Sequence, residues 1–453
     1  MKSVIYDAYK SSDSPWLGDV PAHWGVKKLK FLAVVQPSNV DKKTVEGEEP
    51  VLLCNYTDVY KNEYIDSRLE FMQATATEDE IKKFSVDVGD VIVTKDSETP
   101  DDIAVPACIA EKIEGLLCGY HLTQIKPIDL DGRFLFRLFQ SKGFNAQFTV
   151  AANGVTRFGL PQYAIANAYS PIPPLSEQKS IARFLDFKTA QIDALIAKKQ
   201  ALLTKLAEKR TALISHAVTK GLDPSVPMKD SGVEWLAKIP EHWAVKKFKY
   251  LGETRYGLGE PPEKLEGGVP FIRATDIYRG HIDGSKVQTV DPDLVPWSRN
   301  PELKAKDILV VRSGAYTGDS AIVPAEWAGS IAGYDMVFTA KEALPEYMAL
   351  NLLSKHVLNG QIYLAKNRAA QPHLNAEELG GVVIAIPGLD EQKQIVKFLN
   401  QGISHIEAQR EKVRAVIDRL QEFRSALITN AVTGKIDVRN IIIPQRAQEP
   451  AHD

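Results

Sequence analysis

At 453 residues the chain is too long for a single hydrophobic core, and roughly 150 residues per domain implies two to four folded units. Apolar residues at 44% and charged residues at 25% exclude a disordered or fibrous chain, and the lack of any run of about 18 apolar residues excludes a membrane-spanning helix. A formal charge of −3 excludes a uniformly basic nucleic-acid binder, so any surface for a polyanion must be local and balanced by acidic residues elsewhere.

The first residues contain no apolar run of the kind a secretory signal needs, and Cys54, Cys108 and Cys118 show no CxxC spacing. A cytoplasmic protein with three buried free thiols and neither disulfide nor zinc site is expected. The first landmark along the chain is "PAHWGVKKLKFL" from Pro21, which returns as "PEHWAVKKFKYL" from Pro240 with eight of twelve positions identical. Self-similarity at this distance is the strongest architectural signal in the sequence.

Between Tyr56 and Gln162 the chain is rich in short Val, Ile, Tyr and Thr runs broken by Gly, Pro and Asp, as short strands and turns require. "YTDVY" (56–60), "GDVIVTK" (89–95) and "CGYHL" (118–122) are echoed faintly by "ATDIY" (274–278), "KDILVVR" (306–312) and "AGYDM" (332–336). "PLSEQKSIARFL" from Pro174 returns more clearly as "GLDEQKQIVKFL" from Gly388, and "ALISHAVTKG" from Ala212 as "ALITNAVTGK" from Ala426. The chain thus reads as a duplication in which each copy is a variable globule followed by a matched segment.

Each matched segment predicts a long helix. Apolar residues fall at Ile181, Leu185, Ile192, Leu195, Leu202, Leu206 and Leu213, and again at Ile395, Leu399, Ile406, Val413, Val416, Leu420, Phe423 and Leu427, with the three-, four- and seven-residue gaps of a coiled-coil seam. Pro174, Ser176, Pro387 and Asp390 supply start signals. Lys188, Lys199 and Lys209 interrupt one seam and Gly402 and Gln409 the other, which favours pairing of the two helices within one chain. At 1.5 Å per residue such a helix is about 65 Å long, enough for a rigid spacer. The expected domains are 1–173, a first globule; 174–220, the first helix; 221–386, a second globule; 387–435, the second helix; and 436–453, a tail.

Catalytic signatures are missing: there is no P-loop, HExxH, GxSxG or Asn-Pro-Pro-aromatic motif. Pro292, Asp293, Glu302 and Lys304 imitate a nuclease PD…ExK spacing, but they lie in a turn-rich stretch with no counterpart in the first copy.

Two globules, two matched helices, a "W-L-x-x-[VI]-P-x-H-W" segment before each globule and an "E-Q" opening each helix together resemble the specificity subunit of type I restriction-modification systems. The resemblance covers essentially the whole chain. It implies an α+β fold: two similar mixed α/β target recognition domains, joined by two long helices packed as an intramolecular antiparallel coiled coil with a pseudo-two-fold repeat. It also implies that the start of the chain sits beside the end of the second helix. The function implied is recognition of a bipartite, asymmetric double-stranded DNA target, one half-site per domain. The chain would have no catalytic or metal residue and bind no cofactor. S-adenosylmethionine, ATP and Mg would belong to two modification (methyltransferase) subunits and two restriction (motor/nuclease) subunits. The alternative is a stand-alone coiled-coil DNA-binding regulator, with a structural adaptor third.

A surface that binds identical partners should be alike in both copies, and one that reads different bases should not. By loop position and residue type, DNA contacts are expected from Lys95, Tyr120, His121, Asn153, Thr156 and Arg157 in the first globule. In the second they are expected from Arg273, Arg312, Tyr316, Tyr334, Lys366, Asn367, Arg368, Gln371 and His373. Arg157 and Arg312 are the favoured base readers. Partner or spacer roles fall to Glu177, Gln178, Ile181, Leu185, Ile192 and Leu206, and to Glu391, Gln392, Ile395, Leu399, Ile406 and Leu420. His23, Trp24, His242 and Trp243 are expected to lock each globule to the helices, leaving Lys27, Lys28, Lys246 and Lys247 for phosphate or a partner.

Overall fold

The computed structural model of the chain describes residues 5–366 and 372–443. These form two compact units, one of residues 5–198 with 415–443, the other of residues 199–366 with 372–414. Both long helices are continuous, Leu175–Lys220 and Leu389–Val432, so each unit owns part of both.

The two units repeat one scaffold. In the first, a five-stranded sheet runs in the order Ala33–Pro37, Leu122–Pro127, Val91–Thr94, Pro106–Ile109, Tyr64–Ile65. In the second, a four-stranded sheet runs Gly252–Tyr256, Met336–Ala340, Ile308–Val310, Ser320–Ile322. Both central strands, Val91–Thr94 and Ile308–Val310, are wholly buried, which is why apolar residues follow one another there rather than alternate, with Thr94 the one polar member. A second, three-stranded sheet accompanies each: Leu116–Cys118, Glu49–Cys54, Met72–Ala76 in one, and Gln288–Val290, Lys264–Ile272, Ile331–Ala332 in the other. All three cysteines are buried and free.

The main core of each unit is built jointly from globule and helices. Phe134, Phe136, Phe139, Phe144 and Phe148 pack in one cluster with Ile181, Leu185, Ile428 and Val432. In the other unit Tyr347, Leu352 and Ile384 cluster with Ile214, Val218, Ile395 and Leu399. Within each unit the helix portions run antiparallel: Arg424 bonds Asp193 (2.9 Å) in the first, and Arg210 meets Glu407 (3.4 Å) in the second.

The expected seam needs correction at several positions. Leu195, Leu202, Val416 and Phe423 point outward, at 38 to 57% exposure, while Ile196, Ile417 and Ile428 are buried. Apolar pairs at 195/196, 202/203, 416/417 and 427/428 offer the periodicity two choices about 100° apart, and spacing alone does not decide between them. Ile181, Leu185, Ile192, Leu206, Ile395, Leu399 and Ile406 are buried and Leu420 partly so. Gly402 is no interruption: a Cβ there would lie 2.6 Å from Leu213, so glycine permits a close helix approach.

Candidate nucleic-acid interface

The doubled "HW" and "EQ" segments meet each other. In the first unit Glu177 accepts from Trp24 Nε1 (3.1 Å) and the Tyr6 hydroxyl (2.5 Å), and its second oxygen lies 2.9 Å from His23 Nε2. In the second, Glu391 accepts from Trp243 Nε1 (3.1 Å) and lies 2.8 Å from His242 Nε2. The adjacent glutamine bridges backbone in both: Gln178 donates to the Pro173 carbonyl and accepts from Asp131 N–H, and Gln392 donates to Pro387 and accepts from Leu344. Glu177, Gln178 and Gln392 are buried, so their side chains serve the inside of the chain rather than an outward partner surface.

The first helix ends on the lock of the globule that follows it, and the second on the lock of the first globule. Gly434 is left-handed at φ +74 and packs against Pro21 and Trp24; Gly221, also at φ +74, packs against Trp243 and Pro240. The Tyr9 hydroxyl donates to the Gly434 carbonyl (3.1 Å), placing the start of the chain beside the end of the second helix.

The loops expected to contact DNA lie elsewhere on each globule. In the first unit Lys95 leaves the central strand, donates to the Ser38 carbonyl (3.2 Å) and stands 4.7 Å from the Tyr120 ring centroid. His121, at φ +71, bonds Asp96, and Arg157 reaches the same carboxylate at 4.0 Å. Asn153 exchanges two backbone hydrogen bonds with Gly159, and Phe158–Gly159 pairs with Asp96–Ser97. Five of the six expected residues therefore gather about Lys95 and Asp96, the latter a residue that its sequence context does not mark, while Thr156 is an exposed loop residue.

In the second unit the Arg312 guanidinium lies between two tyrosines, 4.7 Å from the Tyr256 centroid and 4.3 Å from that of Tyr334, with His373 Nε2 at 3.1 Å from Nη2. Tyr256 is hidden in "YGLGEPP", a stretch that resembles a simple turn; its place at a strand end beside an arginine is the signal that could have found it. Arg273 is a structural residue: it donates twice to the Asp276 carboxylate and once to the Lys286 carbonyl. Its salt bridge closes the turn that Asn55 and Asp58 close in the first copy. Tyr316 is exposed and lines a different hollow, with Arg210 and Arg279. Asn367, Arg368 and Gln371 lie outside the described residues, and Lys366 ends a short helix, Tyr363–Lys366.

A cleft of about 440 Å³ beside Arg312 is lined by Lys264, Phe271, Arg273, Gln288, Tyr334 and Asp335. Asp335 accepts from the Arg312 N–H (3.2 Å), and burial pushes its carboxyl up to about 6 against the opposing pull of that bond and of the Arg312 charge. The folded state therefore holds this proton to higher pH than the unfolded chain, and stability falls as pH rises from the ordinary carboxylate range to about 6. Asp335→Asn is expected to stabilise the second unit by roughly 2 kcal/mol at neutral pH and by almost nothing near pH 4. Urea melts at both pH values test this, and a variant less stable than wild type at neutral pH would refute it. Among the described residues no cluster of three His, Cys, Asp or Glu could hold a metal ion, and no helix is long and apolar enough to cross a membrane.

One mixed α/β scaffold built twice, tied to paired helices by matching locks and carrying unlike cationic and aromatic loops, defines a duplicated two-unit protein. The sequence profile described as "Type I restriction modification DNA specificity domain" matches residues 24–205 and 240–417, and the chain belongs to that family. It is 25% identical over 275 residues to the type I restriction enzyme EcoKI specificity subunit of Escherichia coli K12, covering 59% of this chain and 57% of that protein. The chain thus matches under two thirds of that relative's length. The putative MjaX specificity subunit of Methanocaldococcus jannaschii is 23% identical over 440 residues, covering 93% of this chain and 96% of the relative. A chain from a solved structure concerned with complex assembly and conformational transition of the type I R-M system shares the fold, with a TM-score of 0.66, 16% identity and coverage of 91% of this chain and 98% of its own.

Proposed function

We propose that the chain is the DNA sequence-recognition subunit of a type I restriction-modification complex. Each unit reads one half of a split, asymmetric double-stranded target, and the paired helices set the unread spacer between the halves. The chain scaffolds two modification subunits and two restriction subunits, and S-adenosylmethionine, ATP and Mg act on those partners. The observation that carries this reading is one fold built twice with matched locks and unmatched loops: what is shared suits common partners, and what differs suits different bases.

The test is co-expression with the modification subunits followed by mapping of methylated adenines in the host DNA. A two-part motif is expected. Arg157→Ala should relax one part only, by about 1 to 3 kcal/mol for a bidentate guanidinium–base pairing removed. Equal relaxation of both parts, or an undivided motif, would refute one reader per half-site.

A further inference from the structure

We propose that Lys95 with Tyr120, and Arg312 with Tyr334, are equivalent anchors for a DNA phosphate, one in each unit, which grip the duplex without reading its sequence. This rests on the recognition role argued above and revises the expectation that Arg312 reads a base.

The two pairs occupy the same point of the repeated scaffold. Lys95 directly follows its central strand and Arg312 follows its own one residue later, yet the carbonyl of each accepts from a leucine N–H, that of Leu160 and that of Leu374. Each tyrosine lies two residues before the strand paired antiparallel to the central one, with Leu122 opposite Thr94 and Met336 opposite Val310. Each tyrosine is preceded by a glycine that donates its N–H to the neighbouring sheet: Gly119 to the Cys54 carbonyl (2.9 Å) and Gly333 to that of Ile272 (2.8 Å). A Cβ on either glycine would lie 2.7 Å from that same carbonyl oxygen. The turn that presents the ring is therefore sterically fixed in the same way twice. Both rings stand about half exposed, with the cation 4.7 Å from the centroid in one unit and 4.3 Å in the other.

Around this common point the copies part company. Lys95 is steadied by the Ser38 carbonyl, whereas Arg312 is steadied by Tyr256 and His373. The residue after the tyrosine is His121 in one unit and Asp335 in the other. Two readers of different bases have no reason to keep one base-reading pair at one place, because the donor and acceptor pattern changes with every base pair. A phosphodiester is the same at every step and takes both N–H and phenol O–H donors, so it accounts for a shared pair that tolerates an ammonium in one copy and a guanidinium in the other. The unlike neighbours are then the place for base reading, and Arg157 keeps that role.

The experiment uses the full chain co-purified with its modification subunits. Selection from a library of random duplexes yields the bound motif, and titrations over a range of potassium chloride compare a duplex carrying it with one scrambled in a single half. Arg312→Ala is expected to weaken both duplexes by the same factor, roughly tenfold, to lower the salt slope by about one, and to select an unchanged motif. Lys95→Ala should do the same, and Arg312→Lys should bind close to wild type while keeping the motif. Tyr334→Phe, which keeps the ring but loses the phenol donor, should weaken both duplexes alike by a smaller factor than Arg312→Ala and keep the motif. A shifted motif, a loss confined to the intact duplex, or no loss at all would overturn the anchor while leaving the recognition role standing. A wild-type complex that selects no motif would overturn both.

Discussion

Arg137→Met is expected to destabilise the first unit by about 3 to 5 kcal/mol, the cost of stranding carboxylates beside a removed buried cation. The Arg137 side chain is almost wholly buried in the helix Gly132–Phe139, yet it is fully used. Its guanidinium donates to Glu63 (3.1 Å), Asp186 (3.0 Å), Thr189 (3.1 Å), Gln140 (2.8 Å) and the Tyr64 hydroxyl (3.3 Å). Asp186 and Thr189 belong to the first long helix, so the arginine pins the globule to it. Methionine fills the volume but leaves Asp186 with only the longer cation contact to Arg133 (3.6 Å) and Glu63 with Arg424 as its one cation. The pH dependence has a defined sign. Burial opposes ionisation of Glu63, but Arg137 and Arg424 outweigh it and hold its carboxyl below the usual range. That stabilisation is present at neutral pH and is lost as pH falls through the depressed value. Denaturant melts should therefore show a loss at neutral pH that shrinks in acid. An unchanged midpoint at neutral pH would refute the assignment.

Glu177→Ala should cost about 3 kcal/mol, because the indole N–H of Trp24 and the Tyr6 hydroxyl both lose their acceptor in a buried site. The matching change Glu391→Ala should cost only about 1 kcal/mol. Among the described residues Glu391 has no tyrosine hydrogen-bond partner, and its side chain is 30% exposed against 4% for Glu177, so water can replace it. Thermal unfolding followed by tryptophan fluorescence measures the pair, and equal costs would remove burial as the deciding factor. Because the chain has two units, each transition must be fitted separately.

The locks were legible in the sequence because identical partners leave identical residues: His23 and Trp24 repeat as His242 and Trp243, as Glu177 repeats as Glu391. The long helices were legible from periodicity, although their inward faces were not where two apolar residues stand side by side, as at Leu195 and Ile196. The recognition loops were half legible. Lys95 meets Tyr120 in one unit and Arg312 meets Tyr334 in the other, and the faint echoes at these strand ends point to both pairs. Asp96, Tyr256 and Asp335 escaped because their role depends on which loops meet, and no local spacing records that. The bonds Arg273 makes to its own turn escaped for the same reason, since its place after a strand does not record them.

The division of each long helix between two cores has a consequence for synthesis. The first unit takes Ile428, Ala431 and Val432 into its core, whereas every residue of the second lies between 199 and 414. As the chain leaves the ribosome, the second unit is therefore complete before the first, although the first was begun earlier. Until residues near 430 emerge, Phe184, Leu185 and the phenylalanines of the first globule wait with one wall of their core missing, and the start of the chain is sealed only when its end arrives.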